Sequence, residues 1–222
     1  MPNRRVVLLG AGGGTRELIS LIRHAQRCHG VYVEWDLYGI LDDNVDLVGT
    51  DVAGVPVLGP LASAEDLPES WFLNGIASAR EPTVRCQVAE RLAMPPERWA
   101  TFVHPGATIL DPSEIGHGAI VYPNAVVSAN GVFGPHAVAY FGAVVHHDSR
   151  VGEGSCLCAA ALVAGFAQVG RGCYLGIGSV VRDHVRIGDG ALIGAGAVVI
   201  RDVLPESTVA GVPARRLDTR EL

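Results

Sequence analysis

The chain has 222 residues, 49% hydrophobic and 18% charged, which is room for one large core or two small ones and too apolar for a disordered chain. A formal net charge of −6 gives nucleic-acid binding no electrostatic support. All 17 basic residues are arginine, which excludes P-loop and Schiff-base lysine chemistry.

Five cysteines (Cys28, Cys86, Cys156, Cys158 and Cys173) form no C-x-x-C pair and follow no secretory leader. A reduced, cytoplasmic setting is therefore expected. No apolar run approaches the roughly 20 residues of a membrane span.

The opening "RVVLLGAGGGTRELISLIRHA" reads as a strand over 6–9, a glycine turn over 10–14 and a helix from about Thr15, with Glu17 in its first turn. Glycines there let a phosphate approach the backbone at a helix N-terminus. The spacing fails G-x-G-x-x-G, because Thr15 or Arg16 falls where the third glycine belongs, so NAD binding is not expected. A second strand ends in the carboxylates Asp42 and Asp43. A short helix around Glu65, a strand in "WFLNGIA" and a helix over 81–92 follow, and "WATFVHP" leads on. Alternating strand and helix predict a small parallel α/β domain over residues 1–103.

From Ile109 to Val199, sixteen consecutive positions six residues apart are apolar. A small residue stands two places before nearly every one, with Val185 the bulky exception, and glycine often follows. This period is neither helical nor alternating. It predicts a short strand and a tight turn per step, with glycine permitting the turn. Three steps close a triangular coil, and the chain restacks every eighteen residues at about 4.8 Å. Residues 104–222 are read as this second, all-β domain.

Within "AVVHHDSRVGEG", His147 falls two places after the inward Val145 and so belongs outside the coil. Imidazole titrates near neutrality and serves as a general base, and a carboxylate such as Asp148 fixes its tautomer. One coil on lie Ala164 and Gly165, where a backbone N–H would sit close to His147 and serve a developing oxyanion.

Three readings stay open, the two enzymatic ones by resemblance to known β-helical enzymes. One is acyl-transfer chemistry on His147, and another is a scaffold without catalysis. The third is a metal enzyme of the β-helical carbonic-anhydrase kind, with histidines drawn from His146, His147 and His184. Phasing by eighteen clusters no three histidines within one chain.

The repeat, together with "VVLLGAGGGTRE", "GILDD", "FVHPGATI", "AVVHHDSRVG", "LVAG", "IGAGAVV" and "GVPAR", resembles the sialic-acid O-acetyltransferase and PglD-like sugar acyltransferases of the hexapeptide-repeat superfamily. The resemblance spans essentially the whole chain. It implies a Rossmann-like α/β domain followed by a left-handed parallel β-helix, working as a homotrimer with sites between subunits. It implies transfer from acetyl-CoA, with no metal, to an amine or hydroxyl of a nucleotide-linked amino sugar in surface-glycan synthesis. His147 would be the general base and Asp148 its partner. Gly10, Gly12, Gly13, Asp42 and Asp43 would hold the nucleotide. Ala164, Gly165, Gly194, Ala195, Pro213 and Arg215 would lie along the coenzyme. Two departures stand out: Gly14 and Thr15 replace a histidine and a glycine common in the first turn, and Cys156 stands where a histidine is frequent.

Overall fold

A computed structural model describes residues 4–217. Its N-terminal part is a five-stranded sheet in the order β3-β4-β2-β1-β5, made of β1 (Arg4–Leu9), β2 (Trp35–Leu41), β3 (Asp51–Val52), β4 (Val55–Gly59) and β5 (Trp71–Asn74). All pairings are parallel except the β3–β4 hairpin. Val6, Val7, Leu8 and Leu9 are fully buried, as a central strand covered on both faces requires. Helix α1 (Gly13–His29) covers one face with Leu18, Ile19, Ile22 and Ala25. Helix α2 (Val84–Leu92) and Trp99 cover the other.

Helix α1 starts ahead of the position expected from Thr15, with Gly12 at its N-cap and no side-chain cap, so Glu17 falls in the second turn. Helix α2 starts at Val84 instead of 81, because a residue preceding proline, here Glu81 before Pro82, is kept out of the helical region. The turn around Glu65 is a 3₁₀ helix, Leu61–Asp66. Among the described residues no helix is long and apolar enough to cross a membrane.

From Phe102 on, two-residue strands stack in three parallel sheets as a left-handed β-helix. The register is eighteen up to Val199, where Val127 pairs with Val145, Val145 with Val163, Val163 with Val181, and Val181 with Val199, and it shortens to sixteen in the last coil, where Ile193 pairs with Val209. These valines form a column no more than 1% exposed. The small residues Ala125, Ala143, Ala161 and Ala197 are fully buried beside it, because a narrow prism leaves no volume for larger ones.

The glycines after the inward residues do a different job from the one expected. Positive φ falls two places further on, in columns such as Asn130, Asp148, Phe166 and His184. Gly152 is needed because a Cβ there would lie 2.5 Å from the Gly170 carbonyl oxygen one coil away. Close approach of stacked coils, not turn geometry, selects it.

The three outer faces differ. The first (Phe102, Ile120, Val138, Cys156) is buried against α1 and the small sheet. The third presents Glu114, Arg150, Gln168 and Arg186 to solvent. The second presents a half-buried apolar ladder, Val126, Val144, Leu162, Val180 and Val198, which nothing among the described residues covers.

Candidate active site on the prism corner

His147 sits at the corner where the second face turns into the third, with 44% of its side chain exposed. Its Nδ1 is 2.9 Å from Asp148 Oδ2. Asp148 occupies a left-handed conformation (φ +57), which Asp tolerates better than most residues and which swings its carboxylate back onto the preceding ring. Asn130, one coil below, donates from Nδ2 to Asp148 Oδ1 at 3.0 Å. The His147 hydrogen bond, and then that of Asn130, hold the Asp148 carboxyl below the usual carboxylate range. An anionic Asp148 takes the Nδ1–H, which leaves the Nε2 lone pair facing outward as a base.

The next coil closes under the ring. A Cβ on Gly165 would lie 2.8 Å from His147 Cε1 and 2.9 Å from Nε2, so any side chain there would push the ring aside. The Ala164 N–H is used in the ladder, on Val181 O, and the Gly165 carbonyl accepts from His184 N. The Gly165 N–H has no acceptor among the described residues. Phe166 meets the His147 ring edge-to-face, with centroids 5.3 Å apart. Asn130 and Phe166 escaped the sequence reading, although both lie one coil from the Asp148 position, and the eighteen-residue register would have found them.

A cavity of about 520 Å³ lies between the glycine turn and the prism. Gly10, Gly12, Gly13 and Asp42 line one side, and Tyr140, Cys158, Tyr174 and Ile177 the other. A Cβ on Gly12 or Gly13 would meet nothing within 4 Å, so both open onto free space at the uncapped N-terminus of α1. That end carries partial positive charge and suits a phosphate. Gly10 has a different reason: φ is +87, and a Cβ would strike Ile76. Asp42 lines the cavity, but its oxygens already accept from Ala11 N at 2.7 Å and Asn44 N at 2.8 Å, which shapes the turn. Asp43 lies outside the lining, paired with Arg91 and accepting from Leu61 N.

Gly194 and Ala195 stack, at the eighteen-residue register, above Gly176 and Ile177, on the corner that borders this cavity. Ala164 and Gly165 stand with His147 on the next corner. One chain therefore brings these two groups to opposite edges of the uncovered second face. Pro213 is exposed beyond the last coil, and Arg215 lines a smaller cavity at that end. Cys156 is buried against α1, and burial pushes its thiol up to about 12, far from any base role.

His24, His29 and His104 form a cluster. Their nitrogens lie within 4.8 Å of one another. The Gly106 N–H donates to His104 Nδ1, so Nε2 carries the proton and donates to His24 Nδ1 at 3.2 Å. No lone pair of His104 is left to ligate a metal.

Comparison with known proteins agrees with this architecture. Residues 166–201 match the family model "Bacterial transferase hexapeptide (six repeats)". No curated protein sequence matches the chain. The acetyltransferase domain of PglB from Neisseria gonorrhoeae FA1090 superposes with a TM-score of 0.80 at 27% identity, covering 97% of this chain and all of that one. PerB from Caulobacter crescentus, solved with CoA and GDP-perosamine, gives 0.79 at 29% identity over 96% of this chain and 97% of its own. WeeI from Acinetobacter baumannii AYE gives 0.79 at 25% identity over 96% and 100%. With its repeat, its domain order and this likeness over nearly its full length, the chain is similar to the hexapeptide-repeat sugar acyltransferases.

Proposed function

We propose that the protein transfers the acetyl group of acetyl-CoA to an amine or hydroxyl of a nucleotide-linked amino sugar in surface-glycan synthesis, with His147 as general base. The carrying observation is the corner itself: an outward imidazole, fixed at Nδ1 by Asp148, resting on a residue with no side chain beside an unengaged amide. Relatives solved with CoA and a nucleotide-linked amino sugar support the substrate classes.

The residues fit both substrates. Gly12 and Gly13 leave room for a diphosphate at the α1 N-terminus, and the Tyr140–Tyr174 wall offers rings for a base or sugar to pack on. The missing Gly165 side chain leaves room for the His147 ring, beside which a thioester would lie. Acetyl-CoA, when bound, supplies an activated acyl carbon and a thiolate leaving group. His147 Nε2 takes the proton of the attacking amine or hydroxyl, while Asp148 stabilises the imidazolium. The Gly165 N–H would donate to oxygen as negative charge builds there. The protonated Nε2 then returns the proton to the departing sulfur, which leaves the base ready again.

The reading is a homotrimer. The bare second face has the substrate cavity on one edge and His147 on the other, and covering it with a neighbour's edge would bring the two together. The five cysteines are free, consistent with a reducing, cytoplasmic setting. The metal alternative needs His147 and His184 on one ion, but the Phe166 ring lies between them.

Two measurements test the proposal. In a thermal-shift panel of nucleotide sugars with and without acetyl-CoA, a true ligand raises the midpoint by mass action. His147→Ala is expected to lower acetyl transfer by about 10²–10⁴-fold while the acetyl-CoA shift is retained. Near-wild-type turnover in that variant would remove His147 from the mechanism.

A further inference from the structure

Phe166 stands where a bulky side chain is least expected. Its φ is +61, a left-handed conformation that disfavours large L-residues, and it is 47% exposed. The same column holds Asn130 and Asp148, which accept that backbone readily, and His184. Phe166 gains little burial there. What it does gain is contact with two imidazoles. It stacks on His184 with ring planes 4° apart and centroids at 4.9 Å, and it meets His147 edge-to-face at 86°.

We infer that Phe166 is a positioning residue for His147: its ring blocks the imidazole from swinging along the corner and holds Nε2 over Gly165. This rests on the reading of His147 as the general base. Four contacts define the ring's place. Asp148 holds Nδ1, Gly165 lies beneath Cε1 and Nε2, the His146 ring packs against it with centroids 4.5 Å apart, and Phe166 closes the side toward His184. Without Phe166, an imidazole with 44% of its side chain exposed has open space on that side, with one hydrogen bond and the His146 ring left to hold it. Misplacing a base by a fraction of an ångström lowers the rate of proton transfer without touching substrate binding. The titratable groups around His147 are Asp148 and His146 directly, and His184 with Asp183 beyond Phe166.

The test compares Phe166→Asn with Phe166→Tyr. Asparagine accepts the left-handed backbone, as Asn130 does in this column, so it removes the ring without disturbing the coil. The expected result is a kcat roughly tenfold lower in Phe166→Asn, with KM for both substrates within about twofold, and near-wild-type kcat in Phe166→Tyr. The second readout needs no substrate: the His147 Cε1 proton resonance, followed by NMR. Loss of the ring should shift that resonance, and tyrosine should restore it. An unchanged resonance in Phe166→Asn overturns the inference, as does a kcat loss that tyrosine fails to rescue. If the wild-type protein transfers no acetyl group, the functional reading fails by itself, and the resonance still decides whether Phe166 places the ring.

Discussion

At the residue scale the candidate site depends on what is missing. Gly165 has an ordinary φ, so alanine there would not strain the backbone. The cost falls on His147, whose Cε1 and Nε2 would sit 2.8 and 2.9 Å from the new methyl. The imidazole would have to tilt, lengthening its bond to Asp148 or pulling Nε2 away from the Gly165 amide. Gly165→Ala is expected to lower kcat by about tenfold or more, with the melting midpoint within a few degrees of wild type. Steady-state kinetics beside a melting curve would show this, and full activity in the variant would mean that the ring's seat on Gly165 is not used. His147, Asp148 and Gly165 were legible in the sequence because each falls at a fixed phase of the repeat. Phe166 and Asn130 fall at the same phase, one coil to either side of Asp148, but their contacts depend on left-handed corners that the hydrophobic period alone does not specify.

At the element scale the prism was nearly complete in the sequence. A period of six that survives over sixteen positions leaves one packing solution, and its inward column is the one that is buried. The α/β domain was legible as an order of elements and less so at its ends. Both helix starts moved for local reasons, an uncapped glycine turn in α1 and Pro82 before α2. The cavity was out of reach, since its second wall comes from Tyr140, Cys158 and Tyr174, whose outward positions look unremarkable in the repeat. The Gly12 N-cap separates the two roles of the glycine turn. Its extended backbone (φ −80, ψ −172) suits an aspartate cap, and a Cβ there meets nothing. Gly12→Asp should hold or raise stability by about 0.5 kcal/mol, since aspartate caps a helix better than glycine. Its carboxylate would repel a diphosphate at the same place, so KM for the nucleotide sugar is expected to rise severalfold with acetyl-CoA binding unchanged. A variant that binds the sugar normally would move the phosphate elsewhere.

At the scale of the whole molecule two joints matter, one between copies and one within the chain. The bare apolar ladder on the second face is the expected trimer contact. Leu162→Glu should convert a trimer to monomer in sedimentation velocity and abolish turnover, because the cavity edge and the His147 edge would no longer meet. Wild-type protein that sediments as a monomer and still turns over would end the split-site reading.

The joint within the chain centres on Arg85, 1% exposed, which donates from Nε to His136 O at 2.7 Å and from Nη1 to Asn74 O and Ile76 O, both at 2.8 Å. It ties the cavity rim to the prism. His136 beside it is 3% exposed and packs on Trp99. Burial, then the Arg85 guanidinium, then His117, push its pKa down to about 3. His104 is lowered too, by burial and then by His24 and His29. A histidine whose folded pKa lies below its unfolded value of about 6.5 binds a proton more readily when unfolded. Its contribution to stability is therefore whole above pH 6.5 and is lost as the pH falls toward 3. Between those limits one such group gives a slope of about 1.4 kcal/mol per pH unit. His136→Asn keeps a residue that accepts φ +55 and removes the titration. Urea unfolding at a series of pH values from 7 to 4 should show the wild-type protein losing stability steadily and the variant losing it with a slope smaller by up to one proton. Equal slopes would place the acid sensitivity elsewhere, with His104 the next group to replace.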